Sequence, residues 1–231
     1  PLPDGVAFQV QVGFPHGLVD DQPALWQLME DRADLTYRYT AMDSDIRIEA
    51  DGVVRIDASY RIRVDSGALH QGGNTLSHTV MDDVFDVAVL EGDQPFALAD
   101  EICESCFTVA KTPRQPGWVT YDPDYATVVT DESQAGATHL LWQPPPLVKG
   151  EETTFHLRYA LQNALYLGED AQTFNWSIVI DEQDAPVDSS TARITLPPGV
   201  DPARVQVTGG DVQPQPNGAL LLIRPQPILA S

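Results

Sequence analysis

Residues 45–67 read DIRIEADGVVRIDASYRIRVDSG, and this stretch limits the fold more than any other. Apolar and polar residues alternate on both sides of Asp51-Gly52. A period of two belongs to a strand that is half-buried in a sheet. Asp-Gly is a strong hairpin signal, because both turn positions tolerate φ > 0. Val54, Ile56, Ala58, Tyr60, Ile62 and Val64 then share one face of a long strand, and Arg55, Asp57, Arg61 and Arg63 share the other. A sheet built this way is covered on one side and wet on the other.

The same grammar recurs along the chain. VFDVAVL at 84–90 meets PFALA at 95–99 across EGDQ, and WVTYD (118–122) meets YATVV (125–129) across DPD. ATHLLWQ (137–143), TFHLRYAL (154–161), TFNWSIVI (173–180), ARITL (192–196) and RVQVTG (204–209) read as further strands. Turn residues separate them, as in QPGW, PPPLVKGE, DEQDAPVDSS and PPGVDP. Many short strands punctuated by Gly, Pro and Asp predict an all-β, antiparallel sandwich, Ig-like or jelly-roll-like. The strand–helix alternation of a parallel sheet is absent from the pattern. One short helix is expected over 21–32, DQPALWQLMEDR, with Asp20 or Asp21 as its cap and Pro23 in its first turn. The expected organisation is residues 1–35 as an N-terminal strand and helix, 36–210 as the sandwich, and 211–231 as a terminal strand and Pro-rich spacer.

At 231 residues the chain can bury a core without metal or disulfide support. No apolar run reaches the roughly 18–20 residues that span a bilayer. The opening PLPDG has neither a basic nor an apolar leader segment, as expected of a cytosolic chain, a mature exported form or an excised ectodomain. The formal net charge is −21, from 34 acidic and 13 basic residues. A field of that sign repels phosphate backbones and anionic bilayer surfaces, so nucleic acid is not an expected partner.

Motifs that carry chemistry are scarce. His16, His70, His78, His139 and His156 show no metal-ligand spacing. The nearest to a pair are His139 and His156, in strands that could lie side by side. No G-x-S-x-G turn, G-x-x-x-x-G-K-[ST] loop or G-x-G-x-x-G fingerprint occurs. Among the acidic loops, Asp43 and Asp45 come nearest to an oxygen-ligand site for calcium, the one cofactor that the sequence suggests. Asp51 is accounted for by its turn. Trp142 and Trp176 read as core residues. VAFQVQVGF at 6–14 is a strand that pairs within the chain or is exchanged with a neighbouring molecule. ICESCF at 102–107 holds the only cysteines, Cys103 and Cys106. A C-x-x-C pair can be a redox centre, half a metal site, a haem anchor or a small disulfide loop.

Three blocks in order resemble a bacterial family of predicted membrane proteins of unknown function, domain-of-unknown-function family 2207. SDIRIEADGVVRIDASYRIRV is similar to its opening strand, D-G turn and second strand, with Ile56, Tyr60 and Ile62 at the apolar positions and Asp57 near the usual Glu. VKGEETTFHLRYALQNALYLGEDAQTFNWSIV resembles a later stretch, through Gly150, Tyr159, Leu161, Glu169, Asp170, Phe174 and Trp176. ARITLPPGV is similar to the following strand. The resemblance covers about residues 36–210. Tyr60, Trp142, Tyr159 and Trp176 are the expected structural core. The resemblance implies an extracytoplasmic sandwich tied to the membrane by segments outside this chain, and it names no reaction. With the strand-rich pattern and the lack of a catalytic motif, it leads to the expectation of a non-catalytic module with a protein partner, itself membrane-embedded. The rival expectations are a structural subunit that exchanges residues 6–14, a carboxylate-based hydrolase and a C-x-x-C oxidoreductase.

That setting bears on the cysteines. A redox pair belongs at a helix N-terminus, where the thiol pKa falls. Here strands flank the pair, and Asp100, Glu101 and Glu104 oppose a thiolate. Haem attachment needs a His where Phe107 stands, and a zinc site needs a second ligand pair. Outside the cell, an even pair of cysteines is most simply a disulfide.

Overall fold

The computed structural model describes residues 7–13, 35–114, 135–167, 171–177, 185–208 and 211–224. The helix expected over 21–32 and the strands expected at 118–122 and 125–129 lie outside the described residues.

The 45–67 stretch folds as its pattern requires. β2 (Thr36–Ile48) and β3 (Val54–Ser66) form a long antiparallel pair with Ile48 opposite Val54. The turn itself departs from the two-residue form. Gly52 alone adopts positive φ (88°), its N–H donates to the Glu49 carbonyl, and the Asp51 carboxylate accepts the Val53 N–H at 3.1 Å. Glu49 and Val53 still pair, so Ala50, Asp51 and Gly52 make a three-residue loop closed by a left-handed glycine. The Asp51 side chain takes the bond that a tighter turn would give to backbone.

Around this hairpin an eight-stranded sheet extends both ways. Beyond β3 lie β12 (Glu152–Gln162), β6 (Asp83–Glu91) and β7 (Gln94–Pro95). Beyond β2 lie β15 (Ser190–Thr195), β18 (Leu220–Arg224) and β17 (Asp211–Pro214). A second sheet orders β5 (Gly72–Ser77), β10 (Ala137–Gln143), β9 (Cys106–Thr112) and β8 (Ala97–Leu98). A third orders β13 (Leu165–Leu167), β14 (Ala171–Ser177), β1 (Ala7–Gly13) and β16 (Val205–Thr208). β4 (Ala68–Leu69) and β11 (Leu147–Val148) form a short pair.

The described residues are nearly all β, and their only helical element is the 3₁₀ turn Pro202–Arg204. They are not wholly antiparallel. β15 runs parallel to β2, β8 runs parallel to β9, and β1 runs parallel to both β14 and β16. Each of the ladders β15–β2, β1–β14 and β1–β16 joins segments far apart in sequence, where no hairpin sets the direction. Ala7–Gly13 is thus paired on both edges within its own chain.

One face of the large sheet is the core. Tyr39, Met42, Ile46 and Ile48 of β2, Ile56 and Ile62 of β3, and Phe155, Leu157 and Leu161 of β12 are buried at every second or near-second position. Phe155 meets Phe96 edge-on at 6.4 Å and Trp142 of β10 at 6.5 Å, which locks the large sheet to the second. Tyr159 meets Trp176 of β14 at 6.1 Å, and Trp176 stacks on Phe174. Truncating an aromatic at such a junction costs about 3–5 kcal/mol. Trp142, Tyr159 and Tyr60 are buried, and Trp176 is half-buried against the same core. Burial pushes the phenols of Tyr60 and Tyr159 well above the ordinary range, and for Tyr159 the nearby Tyr60 adds to it.

Candidate functional site

The ICESCF segment lies at a sheet edge. β9 begins at Cys106, which is 1% exposed and paired with Gln143 of β10. The chain enters from β8, the outermost strand of that sheet, whose Ala97 and Ala99 N–H groups donate to the Ser105 and Phe107 carbonyls. Between them residues 100–105 are all exposed, and the turn closes against the end of β10, where Glu104 bridges Gln143 and the Ser105 N–H donates to the Gln143 carbonyl at 2.8 Å. Cys103 and Cys106 have Cα atoms 5.3 Å apart and sulfurs at disulfide distance. The Cys106 N–H donates to the Cys103 carbonyl at 3.1 Å, and Ser105 takes positive φ (58°) to close the turn. The result is a short clipped loop.

What this loop displays is unusual for the molecule. Leu98 is 67% exposed and Ile102 is 36% exposed. Among the described residues only Val148 and Val212 join them as exposed large apolar side chains. Asp100, Glu101 and Glu104 surround the pair in sequence and are exposed. Two large apolar side chains thus stand in solvent among carboxylates at this edge. Neither Leu98 nor Ile102 stands out in the sequence as the cysteines do. The signal they carry is a large apolar residue at the end of the strand expected over 95–99 and another just beyond it, both beside carboxylates.

The wet face of the large sheet is the second place where polar groups converge. Asp57 of β3 is its hub: Arg158 donates Nε to Asp57 Oδ2 at 2.7 Å, and His156 Nδ1 lies 3.3 Å from Oδ1. Asp45 stands directly opposite Asp57 and pairs with Arg193 of β15 at 3.7 Å. Asp43, two residues before Asp45, accepts a hydrogen bond from the Thr191 hydroxyl. The two calcium candidates therefore sit on one face of β2, each with a β15 partner. Among the described residues no three His, Cys, Asp or Glu side chains converge as a metal cage would. Arg55 bridges Glu49 and Asp86 at 3.0 Å each. These exposed pairs organise the face but are each worth only about 0–1 kcal/mol.

The histidine pair considered from sequence is not formed. β10 pairs with β5 and β9, whereas β12 pairs with β3 and β6, so His139 and His156 belong to different sheets. His139 is held by the hydroxyls of Thr75 (3.1 Å) and Thr112 (3.0 Å).

A third cluster closes the corner between β5 and β6, and sequence gave no hint of it. Arg114 donates to the His78 and Met81 carbonyls at 3.0 and 2.9 Å and pairs with Asp82 at 3.2 Å. Asn163, at φ 53°, donates to Asp82 at 2.7 Å, and Lys111 pairs with Asp83. Burial works against the Asp83 charge, but Lys111 and the Val84 N–H outweigh it and hold its carboxyl below the usual range. His78 lies buried against the Thr138 hydroxyl at 2.8 Å, and desolvation lowers its pKa. Each of these groups is spent on holding the turn, so the corner reads as a staple.

The chain is similar to parts of larger proteins of known structure. Yeast LTA4 hydrolase in complex with bestatin matches 84% of this chain and 27% of its own, at 10% identity and a TM-score of 0.43. The M1 zinc metallopeptidase from Deinococcus radiodurans matches 83% of this chain and 39% of its own, at 14% identity and a TM-score of 0.40. The chain thus spans well under half of either, and scores this low transfer no activity. No curated protein matches it in sequence. The three blocks of resemblance have a firmer counterpart, since residues 38–219 match the family described as "Predicted membrane protein (DUF2207) N-terminal domain". The chain belongs to that family.

Proposed function

We propose that this chain is a non-catalytic, extracytoplasmic β-sandwich that binds or positions a protein partner for a membrane-anchored protein. The observation that carries this reading is the exposure of Leu98, at the end of edge strand β8, and of Ile102, beside the clipped loop. A domain with a large core gains nothing in folding from leaving them there, and a pre-organised apolar tip lowers the ordering cost of association. The family's membrane character supports the anchoring, and the cysteine geometry suits an oxidising compartment. No helix among the described residues is long and apolar enough to cross a bilayer. Against a hydrolase, the opposed carboxylates Asp45 and Asp57 are each matched by an arginine rather than left facing a cleft. Against strand exchange, Ala7–Gly13 pairs on both edges within the chain.

The test is removal of residues 38–219 from the membrane-anchored protein, followed by native sizing of its membrane complex. The reading expects the complex to lose a component. A complex of unchanged composition and activity would sink it.

A further inference from the structure

We infer that the clipped loop docks a polypeptide segment whose apolar residues are flanked by Lys or Arg. This rests on the binding-module reading above and adds the chemistry of the partner. Three features of the loop set that chemistry.

The first is the apolar contact. Leu98 at the end of β8 and Ile102 in the loop that follows supply it, at 67% and 36% exposure. The second is the outer edge of β8, which pairs with no further strand among the described residues. Ala97 and Ala99 turn their N–H groups onto β9, to Ser105 and Phe107. In a parallel ladder alternate residues face opposite ways, so the Leu98 peptide groups point outward. An extended segment laid along this edge meets both the backbone and the Leu98 side chain, in the manner of strand addition. The third feature is charge. Asp100, Glu101 and Glu104 are exposed around the tip, within a chain of net charge −21. Carboxylates at the rim favour a cationic counter-surface and repel an anionic bilayer. They also repel a second copy, which would bring three more carboxylates to the same contact. The remaining occupant is a different polypeptide with apolar residues and basic flanks. The Cys103–Cys106 clip fixes the loop before it binds, which removes part of the ordering cost.

The experiment places a photo-crosslinking phenylalanine analogue at position 98 of the full membrane-anchored protein in its native membrane, with the same analogue at position 148 as the exposed apolar control. Crosslinked peptides are identified by mass spectrometry, and the yield is measured again after the double reversal Glu101→Lys/Glu104→Lys. Circular dichroism and urea unfolding of each variant check that the domain is folded. The expected result is a discrete polypeptide caught at position 98 and not at 148. Its crosslinked segment contains apolar residues beside Lys or Arg, and charge reversal lowers the yield about tenfold or more, equivalent to about 1.4 kcal/mol or more. A discrete polypeptide without basic residues, or one indifferent to the reversal, overturns the inferred chemistry and leaves the binding-module reading standing. Crosslinks to lipid alone, to a second copy, or to nothing overturn the inference. An unchanged complex after removal of residues 38–219 is the separate result that overturns the reading beneath it.

Discussion

Reduction of the Cys103–Cys106 bridge should cost the fold about 2 kcal/mol at most, and the damage should stay local. The bridge joins residues three apart and closes a four-residue loop. On the chain-entropy relation, such a loop restrains the unfolded chain by about 6 cal/mol/K, which is about 1.9 kcal/mol at 25 °C. The structure explains why little else follows. The Cys106 N–H keeps its bond to the Cys103 carbonyl, and the Ala97 and Ala99 N–H groups keep theirs to β9. These bonds join β8, the loop and β9, and none of them is to the large sheet. Urea unfolding with and without reductant measures the cost. With a slope of about 3 kcal/mol/M for a domain of this size, the midpoint should fall by about 0.6 M. Amide exchange should quicken at Ala97, Ala99 and Ser105 and stay slow across β3 and β12. A midpoint shift beyond about 1.5 M, or lost protection in β3 and β12, would mean that the clip supports the core, and the reasoning would fail. Two thiols that titrate freely before any reductant is added would show that there is no bridge to break.

Four other outcomes test the packing. Gly136 has φ 78°, and a Cβ there would lie 2.6 Å from the Thr112 carbonyl oxygen and 2.8 Å from the Arg114 nitrogen; Gly136→Ala should therefore cost about 3 kcal/mol or more in denaturant unfolding. Arg114→Ala removes two carbonyl contacts and an ion pair from the β5–β6 corner, and should cost about 2 kcal/mol and speed amide exchange between residues 78 and 83. Ser190 buries a hydroxyl oxygen that has no hydrogen-bond partner among the described residues, so Ser190→Ala should leave the thermal midpoint unchanged or raise it, by up to about 1 kcal/mol of stability. Desolvation holds the folded pKa of His78 below the ordinary 6.5, so the unfolded chain binds the proton first as pH falls. Stability should decline from about pH 6.5 towards the lower folded value, and His78→Gln should flatten that part of the profile.

The face assignment of β3 was legible because alternation is a local property. Val54 to Val64 turned inward and Arg55 to Arg63 outward, as their spacing requires. The turn between Ile48 and Val54 was legible as a turn but not as its type, since the Asp51 carboxylate chose to accept the Val53 N–H. The site was half legible. The spacing of Cys103 and Cys106 pointed to a small loop, but nothing in it said that Leu98 would remain in water.

By itself the sequence determined that the chain is β-rich, which face β3 buries, that a hairpin closes at Asp51-Gly52 and the family to which the chain belongs, but not the strands Gly72–Ser77 and Cys106–Thr112. Those follow from side-chain period and turn chemistry, which act over a few residues. Only the tertiary structure decided that β15 lies parallel to β2, that β1 runs between β14 and β16, and that Arg114 staples a turn more than thirty residues upstream. Those contacts join segments whose separation along the chain carries no periodic signal. They are set by which buried faces and unpaired strand edges remain once the local elements have formed.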